Sequence, residues 1–332
     1  MKLRKGNFKQ LKKFGDVFQG IEPFRGKTQP GFLIDFLGIR TRFKFRAEWL
    51  NLFQMQTSEL IETSFPTPEN SGEFWFEALN WFESARVAKD NYVMFSLGAH
   101  FGYQAVGAAV ALRRTNPMPF KLVCVEPEPT QIEWIKEHMQ DNDIEPRDYW
   151  IVPLVLNSTV NPVFFPVGAP GSGAQNSFST NEEIARKNYV KEIVKKGDVN
   201  EALENLIMKY STSINKTLIP GTDMIGEIKI LSATTLSMLL GPFDYVDFIE
   251  SDIQESEKLV FPECIEVLTE KVKRISIGTH GKENHKDLVK LFKKARWEVV
   301  FDFLPETIHQ TDLGPVEMND GVLVVVNPFI KK

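Results

Sequence analysis

Cysteine is almost missing from this chain: 332 residues hold two, Cys124 and Cys264. That excludes a disulfide framework and a cysteine metal site, and a reducing, cytoplasmic setting is expected. No apolar run approaches the roughly 20 residues a membrane-spanning helix needs. The basic start, with Lys2, Arg4, Lys5, Lys9, Lys12 and Lys13, leads into no such run either, so no secretory signal is expected. Without secretion, the formal glycosylation triplets Asn157-Ser158-Thr159 and Asn215-Lys216-Thr217 carry no weight. A net charge of −5 gives no general attraction to nucleic acid or to an anionic membrane. An assembly of identical chains is left open.

What is present is an apolar run, Tyr92-Val93-Met94-Phe95-Ser96-Leu97, that ends in Gly98-Ala99-His100-Phe101-Gly102, followed by a second run, Lys121-Leu122-Val123-Cys124-Val125, that ends in Glu126-Pro127. Neither run alternates, which is how strands covered on both faces of a parallel sheet read. The glycines permit a tight turn and close approach of backbone to a ligand. Glu126, at the tip of the second strand, stands where a carboxylate can accept both hydroxyls of a ribose. The third glycine of a dinucleotide fingerprint is missing, and no basic residue follows until Arg113. A site that need not hold phosphate fits S-adenosylmethionine better than NAD or ATP. The expected cofactor-facing set is Gly98, Ala99, His100, Phe101, Gly102, Glu126 and Pro127.

Around this unit the chain divides into an N-terminal accessory region, residues 1–70, and a main domain, 71–332. In the first, Thr41, Phe43 and Phe45 alternate with basic residues as in a half-exposed strand pair, and Pro66-Thr67-Pro68 reads as a linker. Helical spacing is expected over Glu73 to Lys89, Gln104 to Arg113 and Thr130 to Gln140, the last with Thr130 as its cap. A third strand is expected over Tyr149 to Leu156. Gly168-Ala169-Pro170-Gly171-Ser172-Gly173 lacks the Gly-Lys-Ser/Thr ending of a phosphate loop and reads as a plain loop. A charged amphipathic stretch forms a helical insertion over about 178–215. The α/β rhythm then resumes: a short helix over Ser232 to Leu240, strands over Tyr245 to Glu250 and Val272 to Gly278, a helix over Glu283 to Ala295, and strands over Trp297 to Phe303 and Gly321 to Val326. The last two strands, joined without a helix, should pair antiparallel. A mostly parallel α/β sheet with an antiparallel last strand follows.

Ligands of open α/β sheets bind beyond the carboxyl ends of the strands, which draws attention to Glu250-Ser251-Asp252 and Thr279-His280. Asp252 and His280 are the candidates for catalysis, as base or as anchor for an acceptor; a cap of the following helix and a structural histidine are their ordinary alternatives. His280 and His285 do not have metal-pair spacing, and no metal is expected. Trp49, Phe65, Trp75 and Phe101 are aromatics able to stack on a sugar, a role that core packing competes with.

Taken in order, Phe95-Ser96-Leu97-Gly98-Ala99-His100-Phe101-Gly102-Tyr103, Val125-Glu126-Pro127-Glu128-Pro129, Asp247 to Glu257 and Ile275-Ser276-Ile277-Gly278-Thr279-His280 resemble the FkbM family of S-adenosylmethionine-dependent methyltransferases. Asp35 to Arg42 is similar to a region ahead of the domain in some members. The resemblance implies a class I methyltransferase (Rossmann-like) fold, Glu126 on the ribose, and methyl transfer to a hydroxyl on a small-molecule or glycan acceptor, commonly a sugar or secondary metabolite. Two departures stand out: Ser96 where the family usually has an acid, and Glu255-Ser256 where it has Gly-Ala. A non-catalytic S-adenosylmethionine- or glycan-binding module of the same fold is the alternative these departures motivate.

Overall fold

The protein is described from a computed structural model covering residues 2–8, 11–46, 59–168, 216–218 and 225–330. The expected helical insertion, Trp49 and most of the Gly168-to-Gly173 loop lie outside the described residues.

Seven strands form the central sheet: β1 (Tyr92–Leu97), β2 (Phe120–Val125), β3 (Tyr149–Val152), β4 (Val246–Ser251), β5 (Val272–Thr279), β6 (Glu298–Phe303) and β7 (Gly321–Val326). Their order is β6-β7-β5-β4-β1-β2-β3. Only β7 is reversed, antiparallel to both β5 and β6. This is the class I methyltransferase, Rossmann-like topology. Strand order reverses between β1 and β4, where an open α/β sheet leaves a crevice.

Because successive side chains of a strand face opposite ways, the apolar runs divide cleanly between two cores. Met94, Leu122, Cys124, Phe248, Val322 and Val324 join the cluster containing Trp81 and Phe82 of α1 (Glu73–Val87), Val106 and Leu112 of α2 (Tyr103–Thr115), and Ile135 and Met139 of α3 (Pro129–Asp141). Val93, Phe95, Leu97, Ile249, Ile275, Ile277 and Leu323 join the opposite cluster with Val260 and Phe261 of α4 (Glu257–Lys271) and Leu288 and Phe292 of α5 (Lys282–Lys294). The result is a sheet between two helical layers. No helix among the described residues is long and apolar enough to cross a membrane.

Several local expectations shift. The cap of α3 is Glu128, whose carboxylate accepts from Gln131 N at 2.8 Å. Pro129, with no N–H to satisfy, takes the first helical position ahead of Thr130. The third strand breaks after Val152 and resumes as Val155–Leu156, paired with Ala233–Thr234. The segment between β6 and β7 holds no helix but does hold a hairpin the pattern did not signal, Thr307–Thr311 with Gly314–Met318. Of Thr41, Phe43 and Phe45, only Thr41 is in a strand, Arg40–Arg42, paired with Phe32–Ile34; Phe43–Arg46 is a 3-10 turn with Phe45 buried.

Residues of the first 70 enter the α1 core directly. Phe18 stacks on Phe65 with centroids 5.0 Å apart and meets Phe82 edge-on at 5.3 Å. Arg42 of the Arg40–Arg42 strand pairs with α3: its Nε lies 2.6 Å from Asp141 and its Nη1 3.1 Å from Glu137.

The tips of β1 and β4 are sewn together. Asp252 N donates to Leu97 O at 2.9 Å, and Gly98 and Ala99 N both donate to Val125 O at 3.0 Å. Gly98 has φ +76°, and a Cβ there would sit 2.0 Å from Asp252 O. Gly98→Ala is therefore expected to lower unfolding free energy by about 2 kcal/mol or more. Urea unfolding measures it, and an unchanged midpoint would show that the seam is not tight.

Candidate functional site

Beyond the carboxyl ends of β1, β2 and β4 lies a cavity of about 920 Å³. Gly98, Ala99, His100, Phe101, Glu126, Pro127 and Asp252 line it. Two expected site residues stand just behind the wall. Gly102, at φ +82°, caps α2, and His280 lies behind Asp252. Of the aromatic candidates, Phe101 lines the cavity, whereas Trp75 is buried core and Phe65 stacks on Phe18.

The glycines do less for a ligand than their pattern suggests. Both take left-handed backbone that other residues resist, which forms the turn. At Gly98 the space where a side chain would point is filled by Asp252 O, and at Gly102 it faces Ile135 and Met139 at ordinary contact distance rather than a ligand. They permit strand and helix to close up, and the cavity wall is built from their neighbours.

Glu126 is held by the loops it joins. One oxygen accepts from His100 N at 2.8 Å, the other from Glu128 N at 2.9 Å. With the Gln131 amide oriented to satisfy its surroundings, its nitrogen faces both Glu126 oxygens at 3.1 and 3.2 Å and its oxygen faces His100 Nε2 at 3.2 Å. Burial raises the Glu126 carboxyl to about 8, against the pull of the two N–H donors. With the two backbone N–H groups and the Gln131 amide, both oxygens are already met by donors, and a ribose diol would take the place of the Gln131 amide.

Other carboxyls crowd the same space. Asp35 comes from the N-terminal region and Glu73 and Glu77 from α1; Glu250 stands at the end of β4, and Glu317 and Asp320 flank the turn before β7. Glu73 accepts from Asn319 N at 3.1 Å and Asp320 N at 2.8 Å. Burial, then the charge of Asp320, raises it to about 8. Burial likewise raises Asp35 to about 6 and pushes Glu77 up. Among the described residues, the basic side chains of the lining are Arg46, whose guanidinium lies over the Phe101 and Tyr103 rings, and His100, which burial lowers to about 4 and so leaves neutral. The described lining carries more acidic groups than basic ones.

Asp252 is half exposed, but its exposed side faces this acid-lined cavity, and burial raises its carboxyl while His280 pulls it down. His280 Nε2 is 3.4 Å from Asp252 Oδ1 and 3.8 Å from Asp320 Oδ1; its Nδ1 is 3.1 Å from the fully buried Glu257. Burial opposes a charge on the ring, but the Glu257 hydrogen bond and the carboxylate fields outweigh it, raising His280 to about 9. Near neutrality His280 is a cation between carboxylates and has no lone pair to offer as a base. Asp252 is not the cap of α4, a place taken by Ser256. Gln254 and Glu255 follow it at φ +51° and +69°. Glu255 is a residue with a side chain in left-handed backbone that glycine adopts more readily.

Some of the missed lining residues carried a signal. Glu73 and Glu77 stand one helical turn apart on a helix that is mostly apolar. Arg46, Glu317 and Asp320 carried none, because the fold brings them in from distant segments.

No protein-family model matches the chain, and no curated protein matches it in sequence. Solved structures similar to it include a precorrin-6y C5,15-methyltransferase from Geobacter metallireducens, at 10% identity and TM-score 0.35 over 80% of this chain and 91% of that one. Methyltransferase FkbM from Methylobacillus flagellatus is similar at 10% identity and TM-score 0.37, over 76% of this chain and 54% of that one. The METTL16 methyltransferase domain is similar at 10% identity and TM-score 0.42, over 96% and 90%. With scores this low the likeness adds no chemistry; the fold rests on the strand order and the site on this chain's own residues.

The shifted groups fix a pH response. Glu73 and Glu126 rise from an ordinary 4.5 to about 8 and His280 from 6.5 to about 9, so the folded state holds protons that the unfolded state releases. Their stabilisation is complete below the unfolded values and is lost as pH climbs to the folded ones. The ligand-free protein should melt at progressively lower temperature between about pH 5 and 9. A melting temperature that rises across that interval would contradict the charge arrangement.

Proposed function

We propose that the chain is an S-adenosylmethionine-dependent methyltransferase acting on a hydroxyl of a sugar, glycan or secondary metabolite. The observation that carries this is Glu126. It is a buried carboxyl at the tip of β2, lining a cavity at the switch point of a class I sheet and oriented by two backbone N–H groups; a ribose diol replacing the Gln131 amide would supply donors that favour its charged form. The acid-rich lining among the described residues supports a cofactor that carries positive charge. The two buried free cysteines suit a cytoplasmic setting.

S-adenosylmethionine supplies a methyl group on a positively charged sulfur, which leaves with the bonding electron pair. The chain's residues then have three tasks. Glu126 and the Gly98-to-Gly102 turn hold the nucleoside. Phe101 and the neighbouring Phe45 offer apolar faces to the acceptor. Asp252 receives the hydroxyl proton as the acceptor oxygen forms its bond to carbon, and its raised carboxyl makes it a better base than an exposed aspartate. His280, behind the wall, is a positioning residue that keeps Asp252 ionised and aimed, braced by Glu257.

Glu126→Gln is expected to weaken S-adenosylhomocysteine binding about 100-fold or more, since charge-assisted hydrogen bonds contribute about 1.5–3 kcal/mol each; unchanged affinity by calorimetry would sink the ribose assignment. Asp252→Asn should cut turnover about 100-fold or more with cofactor affinity retained, in keeping with the worth of general base catalysis. His280→Gln should cut it less and displace the pH–rate profile. If both variants methylate as the parent does, the base is elsewhere. Retained S-adenosylhomocysteine binding without turnover on any hydroxyl acceptor would favour the binding-module alternative.

A further inference from the structure

Ser96 is a hydroxyl where the resemblance leads one to expect an acid, yet the carboxylate is not missing from that place. β1 and β4 are parallel neighbours, and Ser96 is paired in register with Glu250. Ser96 Oγ donates to Glu250 Oε2 at 2.9 Å. Glu250 is 7% exposed, and what exposure remains opens into the cavity. Its Oε1 takes no hydrogen bond from any described residue. Oε1 is therefore the oxygen left open to a donor entering from the cavity. Burial, then the fields of Asp252 and Glu77, drives this carboxyl well above its ordinary range, so a cation arriving here takes the place of a proton.

Position says which cation. The ribose seat on Glu126 is at the end of β2, and Glu250 is at the end of β4, with β1 and its Gly98 turn between them. Two strand spacings are about 10 Å, comparable to the reach of a methionyl chain from the ribose it is attached to. The other carboxylates at the strand tips serve less well: Glu126 has both oxygens on backbone N–H groups, and Asp252 is half exposed and engaged by His280 and Gln254.

We propose that Glu250, held by Ser96, is the seat for the amino group of the methionyl end of S-adenosylmethionine, the carboxylate having moved from β1 to the adjoining position of β4. This rests on the reading of the site as a cofactor pocket. It makes Ser96 a positioning residue and explains how a chain without an acid at that position keeps an anchor for the amino acid end.

The test is calorimetry on the full chain with two probes, S-adenosylhomocysteine and 5′-methylthioadenosine, which share the nucleoside and differ in the amino acid end. Glu250→Gln should weaken S-adenosylhomocysteine about 10-fold or more, the worth of a charged hydrogen bond, and leave 5′-methylthioadenosine within about 2-fold, inside the usual context scatter of such contributions. The double variant Ser96→Asp with Glu250→Gln returns the carboxylate to β1 and should recover most of the loss. Equal weakening of both probes, or of neither, overturns the assignment, as does failure of the double variant to recover. If the parent binds neither probe, the cofactor reading falls first and this inference with it, an outcome separate from the others. Retained 5′-methylthioadenosine binding shows that each variant is folded.

Discussion

The seam between the tips of β1 and β4 is the constraint on which the site depends. At the switch point of the sheet the two strands must part to leave a crevice, but here they stay joined one residue longer, through the Asp252 N to Leu97 O bond and the contact of Gly98 against Asp252 O. That contact fixes where the β1 chain turns and therefore where α2 begins. It also sets Asp252 on the cavity floor and aligns Ser96 with Glu250. Glycine at 98 is needed because backbone occupies its side-chain volume, a reason internal to the protein and different from clearance for a ligand.

Charge is the second organising principle. Carboxyls from five separated segments converge on one cavity, and the cations nearby among the described residues are placed to one side or behind the wall: Arg46 over its aromatic pair and His280 between Asp252, Asp320 and Glu257. Carboxyls gathered in this way repel one another when ionised, which protons or a positively charged ligand relieve. A cofactor with a sulfonium and an ammonium suits that arrangement.

Much of the architecture was legible in the sequence for a physical reason. Strands buried on both faces write themselves as unbroken apolar runs, so β1, β2, β4, β5 and β7 could be placed to within a residue or two, with the reversal of β7 implied by the missing crossover helix. Short paired segments with mixed polarity, such as Thr307–Thr311 and Gly314–Met318, give no such signal. The residues Gly98, Glu126 and Asp252 were visible because strand ends are local. The surroundings of His280 were not, because a histidine's protonation is set by partners far away in sequence: Glu257 from the start of α4 and Asp320 from before β7 put carboxylates beside both ring nitrogens. Ser96 looked like a loss for the same reason, since only strand register reveals Glu250 beside it.

The central claim is that the cavity beyond β1, β2 and β4 holds a nucleoside cofactor with its ribose on Glu126. A crystal structure of the protein grown with S-adenosylhomocysteine tests it most directly. The account predicts the ribose hydroxyls on the Glu126 carboxylate and the homocysteine end lying across Gly98 towards β4. Density for the nucleoside anywhere else, or a ribose with no contact to Glu126, would contradict it.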